Sequence, residues 1–290
     1  MKLPPAVQPA ATRLLAGLAA LVLVAACGTS LKPAPVAIQP SPLMPVSGLW
    51  TPSASQRSGT QTAPPRSAQP SPAPASQHGY DESFPQCPAG ASLAGAEFVL
   101  VGLNRGKAFS ANPCFKREWA AATAPASIYV NSGYSPGNLS KVPKGCQDIA
   151  ASVPASSAQR QAYAIGCGEA LYSIGLVATA GISPSLVWWV DVESANSWSE
   201  TDLSLNRYAL QGLFDQITGR GYEVGLYSTF PSWAEVTGFW TASSVTADWL
   251  AGVPSAGPCP AVGFSEAPIW IRQDTSTWSE SVQVDSDWTC

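Results

Sequence analysis

Leu186 to Val192 reads LVWWVDV, an apolar run with almost no polar alternation. A strand without a polar face is buried on both sides, the habit of parallel sheets covered by helices. Shorter runs of the same kind occur at Glu97 to Gly102 (EFVLVG), Ser127 to Asn131 (SIYVN), Tyr222 to Ser228 (YEVGLYS), Trp249 to Gly252 and Pro268 to Gln273 (PIWIRQ). Helical stretches separate several of them. Ala155 to Ala178 is Ala-rich with few breakers, enough for one helix or two. Leu203, Leu210, Leu213, Phe214 and Ile217 recur at helical spacing behind the capping segment Ser199 to Asp202, and Gly219 and Gly221 stop that helix. Ser232 to Gly238 reads as one more short helix. Strand, helix and strand in alternation with short joints predict an α/β fold, and a single (β/α) TIM-type barrel suits the length.

The barrel has to be built from the C-terminal part of the chain. From Gly28 to about residue 80 the sequence is Pro, Ser, Ala, Gln and Thr, with prolines at 33, 35, 40, 42 and 45 and again at 64, 65, 70, 72 and 74. Such a composition buries too little apolar surface to offset ordering entropy, so residues 27–80 are expected to act as a disordered tether and 81–290 to fold. Residues 1–26 read as a signal peptide. Lys2 and Arg13 precede an apolar run from Leu14 to Val24, which at about a dozen residues is too short to span a bilayer. The run ends in Val24-Ala25-Ala26-Cys27, which resembles the lipobox of bacterial lipoproteins, where the cysteine is acylated after cleavage. The resemblance implies an exported protein anchored to the cell membrane through lipid on Cys27, with its domain facing the extracytoplasmic side.

The remaining cysteines, Cys87, Cys114, Cys146, Cys167, Cys259 and Cys290, form an even set in an exported chain and predict disulfides. The pairing stays open; Cys146 with Cys167 closes the shortest convenient loop. There is no CxxC pair, and the single histidine, His78, falls in the expected tether. Those two facts speak against a zinc site and against Ser-His or Cys-His catalysis, and no cofactor or metal is expected. Asp285 and Asp287 have the spacing of calcium ligands but no surrounding ion-binding loop. Charged residues make up only 12% and the net charge is −4, so nucleic acid is not an expected partner. Of the eleven tryptophans, Trp198, Trp233 and Trp278 fall in expected loops, where they serve either sugar stacking or the core.

The chemistry concentrates at Asp191-Val192-Glu193. Residues i and i+2 of a strand point to one face, so both carboxylates project together. They end an apolar strand, the place where α/β barrels build active sites. Two close carboxylates push one another's proton affinity up, and that is how a general acid is made without histidine. The plain structural alternative is a strand end that caps the next helix or pairs with Arg207.

The order D-V-E at Asp191 to Glu193, then Gly225-Leu226-Tyr227-Ser228, Trp249-Leu250-Ala251, Trp270-Ile271-Arg272-Gln273 and Val284-Asp285-Ser286-Asp287 resembles the glycoside hydrolase family 25 lysozymes. It is closer still to the family-25-like domain of actinobacterial exported proteins. The resemblance runs over residues 97–290 and is firmest in the second half. It implies a barrel that cleaves the glycan of peptidoglycan or another amino-sugar polymer. It also implies Glu193 as general acid, Asp191 as the partner that holds the acetamido group and Asp285 as a third catalytic carboxylate, with Tyr227 and Gln273 lining the cleft. Where those lysozymes open their first strand with G-I-D-x-S, this chain offers Gly102-Leu103-Asn104-Arg105-Gly106, which puts Asn104 in the place of an aspartate. On that alignment Asn104 binds substrate without charge, one strand and helix are missing, and the barrel is incomplete. Arg105 and Lys107 beside it offer positive charge to an acidic group on a sugar chain. The competing expectations are therefore a glycosidase and a catalytically silent barrel that binds cell-wall glycan, another polysaccharide or a protein. A purely structural surface lipoprotein would leave these acids without a common cleft.

Overall fold

The computed structural model describes residues 76–274 and 284–290, except 89, 91 and 92. The signal segment, Cys27, most of the tether and Trp278 lie outside the described residues.

Eight strands close into one barrel in simple sequence order. They are β1 (His78–Glu82), β2 (Phe98–Gly102), β3 (Ala126–Asn131), β4 (Val187–Asp191), β5 (Glu223–Ser228), β6 (Val245–Ala251), β7 (Ile269–Asp274) and β8 (Asp285–Thr289). β1 to β7 run parallel, and β8 lies antiparallel between β7 and β1. The barrel is therefore complete. The strand missing from the sequence reading is β1, which lies partly in the stretch expected as tether and takes His78 into the folded unit. HGYDE has one strongly apolar residue, so neither hydrophobicity nor alternation marks it.

Helices cover the outside of the first strands only. α1 (Phe115–Ala121) links β2 to β3, and α2 (Lys144–Ala151) and α3 (Ser157–Ala180) link β3 to β4. α4 (Leu203–Thr218) and α5 (Phe230–Thr237) follow β4 and β5. The Ala-rich stretch is thus a single helix, started by a Ser156–Gln159 capping box and stopped at Gly181 in the left-handed conformation. Asp202 caps α4 through Ser204 N, and Thr229 caps α5 through Ser232 N. Trp233 lies on α5, over the stretch expected as a short helix, and is fully buried in the core rather than offered to a sugar.

Each strand divides its side chains between two cores. Val99, Val101, Ile128, Val130, Trp188, Val190, Val224 and Leu226 face the helices. Leu100, Tyr129, Trp189, Ala247, Trp249 and Ile271 fill the barrel interior. This division explains why LVWWVDV shows no polar face. The interior admits Trp189 because Gly225 on the neighbouring strand has no side chain; a Cβ there would run into the indole.

No helix follows β6, and Trp270 on the outer face of β7 stays 42% exposed. The segment after β6 is drawn against β7 instead. Arg272 donates to the carbonyls of Pro254 and Gly257, Asp274 accepts from Ser255 N, and the Cys259–Cys290 disulfide ties that segment to the C-terminus. Cys146–Cys167 joins α2 to α3, in agreement with the expected pairing, and Cys87–Cys114 anchors the segment after β1 to the start of α1.

Candidate active site

The C-terminal ends of the parallel strands and the N-terminal end of β8 meet at one mouth of the barrel. Cross-strand register puts Asn131 opposite Asp191, Asp191 opposite Tyr227, and Tyr227 opposite Trp249. On the far side Asp81 pairs with Asp285, and Gln273 with Asp287. A cavity of about 230 Å³ opens there, and Asp81, Asp191, Glu193, Tyr227, Gln273 and Asp285 all line it. Of the six site residues expected from sequence, five therefore share one cavity.

Asn104 is the exception. It is buried behind β3, where its Nδ2 donates to the Asn131 carbonyl and its Oδ1 accepts from the Asn131 amide. It holds Asn131 in place without lining the cavity. The cavity is lined instead by Asp81, within Gly79-Tyr80-Asp81-Glu82-Ser83. That pentad carries the G-x-D-x-S pattern sought at 102–106, but it abuts the Pro-rich stretch and lacks the apolar residues that announce a strand. Tyr129, Asn131 and Trp249 also line the cavity and were not among the candidates. Trp249 stands in the Trp249-Leu250-Ala251 motif of the resemblance, whereas nothing in the local sequence separates Tyr129 and Asn131 from core residues.

The hydrogen bonds form a directed chain. Tyr227 keeps its proton because burial, followed by the surrounding carboxyls, raises its pKa well above normal. Its hydroxyl therefore donates, to Gln273 Oε1 at 2.8 Å, which turns the other face of that amide outward; Gln273 Nε2 donates to Asp81 Oδ2 at 2.7 Å. Asp81 is pushed up to about 8, first by burial and then by Asp285. Asp287, behind it, accepts from Trp249 Nε1 at 2.8 Å. Burial, and then the Asp81 charge, hold the Asp287 carboxyl far above the usual range.

Asp191 is buried and accepts from Asn131 Nδ2, while its Oδ1 has no partner among the described residues. Burial raises its pKa strongly, with Glu193 and then Asp81 adding to the rise. Glu193 is only half-buried; desolvation raises it first and Asp285 second. Asp285 is raised by burial. Arg207 does not reach this group, since its Nε donates to the Thr237 carbonyl. The lining holds no lysine or arginine, so the raised carboxyls have no cation to return them to ordinary values.

The other sequence candidates fall outside this cavity. Trp198 packs at its back with Nε1 on the Glu193 carbonyl at 2.7 Å, which fixes the backbone that carries the glutamate. Among the described residues the one cluster with metal-ligand spacing is Cys87, Cys114 and Glu118, whose sulfurs are already joined to each other.

Fold and site together define an eight-stranded α/β barrel with a carboxyl-lined pocket at the mouth where the parallel strands end. No protein-family model matches the chain, and no curated protein matches it. Among solved structures it is similar to the CTP1L endolysin, at 11% identity over 74% of this chain and 66% of that one, TM-score 0.48. It is also similar to a family GH25 lysozyme from Aspergillus fumigatus, at 14% identity over 74% and 94%, TM-score 0.45. A third is the autolysin LytC from Streptococcus pneumoniae in complex with a synthetic peptidoglycan ligand, at 13% identity over 74% and 46%, TM-score 0.45. The chain spans under two thirds of the endolysin and under half of the autolysin.

Proposed function

We propose that this protein is a glycoside hydrolase acting on an amino-sugar glycan, peptidoglycan first among them, with Glu193 as the proton donor. The observation that carries the reading is the convergence of Asp81, Asp191, Glu193 and Asp285 on one cavity with no compensating cation. Cleaving a glycosidic bond needs a proton for the leaving oxygen and stabilisation for an oxocarbenium-like centre. Glu193 suits the first task because it is the partly accessible carboxyl with a raised pKa, so it is protonated further toward neutral pH and can still reach a ligand. Asp191 suits the second. One oxygen is held by Asn131 and the other is bare, positioned to accept the N–H of an acetamido group whose own oxygen attacks the sugar carbon. Asp285 faces Glu193 across the cavity, and Asp81 beside it completes the ring of carboxyls around the site.

The silent-barrel alternative drew its support from the uncharged Asn104 and a shortened first half. Asp81 in the cavity and β1 in the closed barrel weigh against it. The deciding experiment is release of soluble muropeptides from purified peptidoglycan by the full chain and by its Glu193→Gln variant. Release by the first alone, with equal melting temperatures, supports the assignment. No release by either, with both folded, leaves a glycan-binding or protein-binding barrel.

We further propose that the chain is exported and lipid-anchored at Cys27. The apolar run before Val24-Ala25-Ala26-Cys27 supports this, and so do three disulfides, which persist in oxidising compartments. Labelling with a clickable palmitate analogue, lost in Cys27→Ala, is the expected result; unchanged label in the variant would refute it.

A further inference from the structure

A second cleft of about 450 Å³ adjoins the carboxyl cavity, and Gly106 belongs to both walls. It is built by the loops that continue the two site strands, with Ser132 and Gly133 following Asn131 and Ala195 to Ser197 following Glu193. Its charge is opposite to that of its neighbour. Lys107 and Lys141 line it, and no acidic side chain does. The Lys141 ammonium rests 5.4 Å from the Phe109 ring centre, which steadies it on the wall of the cleft. Phe109 itself is held at a φ of 54° in the left-handed region. Behind Gly133 lies Glu169 of α3, which is buried, accepts the Gly133 amide and does not line the cleft. Asn196 contributes a further feature: its Nδ2 is buried at this cleft with no partner among the described residues. A buried amide donor without an acceptor costs about 1–3 kcal/mol, so an acceptor supplied by a ligand is worth more here than on an open surface.

We infer that this cleft is a subsite for a carboxylate-bearing substituent on the sugar chain, held by Lys107 and Lys141 with Asn196 as neutral donor. The inference rests on the glycosidase reading of the adjoining cavity and narrows its substrate class. An anionic group cannot enter the carboxyl cavity without facing Asp81, Asp191, Glu193 and Asp285. A chain crossing both clefts must therefore place its neutral sugar part over the acids and its acidic appendage over the lysines. A glycan of N-acetylglucosamine alone has nothing to offer the second cleft. A glycan with lactyl or peptide carboxylates does.

The test reads binding, in a Glu193→Gln background so that no turnover interferes. Three probes are titrated at equal chain length: peptide-bearing muramyl oligomers, the same oligomers with peptides removed so that the lactyl carboxylate remains, and N-acetylglucosamine oligomers. Adding Lys107→Ala and Lys141→Ala together is expected to weaken the peptide-bearing probe about tenfold, from two exposed charge contacts, and the neutral probe less than twofold. Reversal to Lys107→Glu with Lys141→Glu should deepen the selective loss. Added salt should weaken the carboxylate probes only. The loss persisting on peptide-free oligomers assigns the contact to the lactyl group; its disappearance there assigns it to the peptide. Equal losses on all probes, or none, overturn the subsite. Should the protein cleave no glycan while the selective loss is seen, the hydrolase reading fails and the subsite stands.

Discussion

Glu193 has two neighbours of different kinds to thank for its raised proton affinity: the apolar surroundings that desolvate it and the Asp285 carboxylate facing it. The two can be separated. Asp285→Asn removes the charge and keeps the shape, so the Glu193 pKa should fall. The alkaline limb of kcat/KM should then move to lower pH, because a general acid is lost once the pH exceeds its pKa. An unmoved limb in that variant would show that another group carries the proton. Glu193→Gln should reduce kcat by about 10²–10⁴-fold, the usual worth of a positioned acid, with no loss of melting temperature. Tyr227→Phe probes the chain Tyr227–Gln273–Asp81. Without the hydroxyl donor the Gln273 amide is free to turn its oxygen toward Asp81, so kcat is expected to drop about tenfold or more with KM little changed.

Between elements, the tightest constraint is the crossing of α3 and α4. A Cβ on Gly166 would strike the Ala209 carbonyl oxygen, and one on Gly212 the Tyr163 carbonyl oxygen. The backbones touch because both sides lack a side chain at the crossing. Gly166→Ala or Gly212→Ala should cost about 1–3 kcal/mol in urea unfolding. Gly145→Ala in α2 and Gly175→Ala in α3 meet open space and should be neutral or stabilising by about 0.5–1 kcal/mol, since alanine is the better helix former. The same helix is tied to α2 by Cys146–Cys167 across a sequence separation of 21. Replacing both cysteines by alanine should lower stability by about 3 kcal/mol through the freed denatured chain. α3 is 24 residues long and apolar enough to cross a membrane by composition, but its buried residues face α2, α4 and the barrel.

At the scale of the molecule, the barrel concentrates buried acids. Asp81 sits at about 8, Glu82 at about 7 beside Glu118, and Asp248 at about 6, while Glu169, Asp191 and Asp287 are raised well above the ordinary carboxyl range. In every case burial is the largest cause. A carboxyl whose pKa is higher folded than unfolded binds more protons in the native state. Stability is then greatest below the unfolded pKa values, near 4, and falls as the pH rises through the folded ones. The melting temperature is therefore expected to decline from about pH 5 to pH 8, most steeply between about 5 and 6, where these acids are ionised in the unfolded chain and still protonated in the folded one, in a scan at constant ionic strength. A flat or rising profile would show that these acids are ionised in the native protein with partners that compensate them.

The second half of the barrel was legible in the chain because its strands announce themselves in consecutive residues. LVWWVDV, YEVGLYS and PIWIRQ are apolar on both faces, and D-V-E at a strand end places two acids on one face by periodicity alone. Local pattern also marked α3, α4 and their caps. The stretch HGYDE gave no such sign. It becomes a strand only because β2 and β8 stand on either side and supply its ladder, and with it comes Asp81. Closure of the barrel, the company of Asp81 with Asp285, and the support of Asn131 by Asn104 join residues separated by tens to hundreds of positions, as Gln273 and Asp81 show with a separation of 192. The charge contrast between the two clefts arises in the same way, from Lys107 and Lys141 on separate loops. Periodicity is a property of neighbouring residues and can be read from sequence; convergence is a property of closed topology, and only the folded barrel decides it.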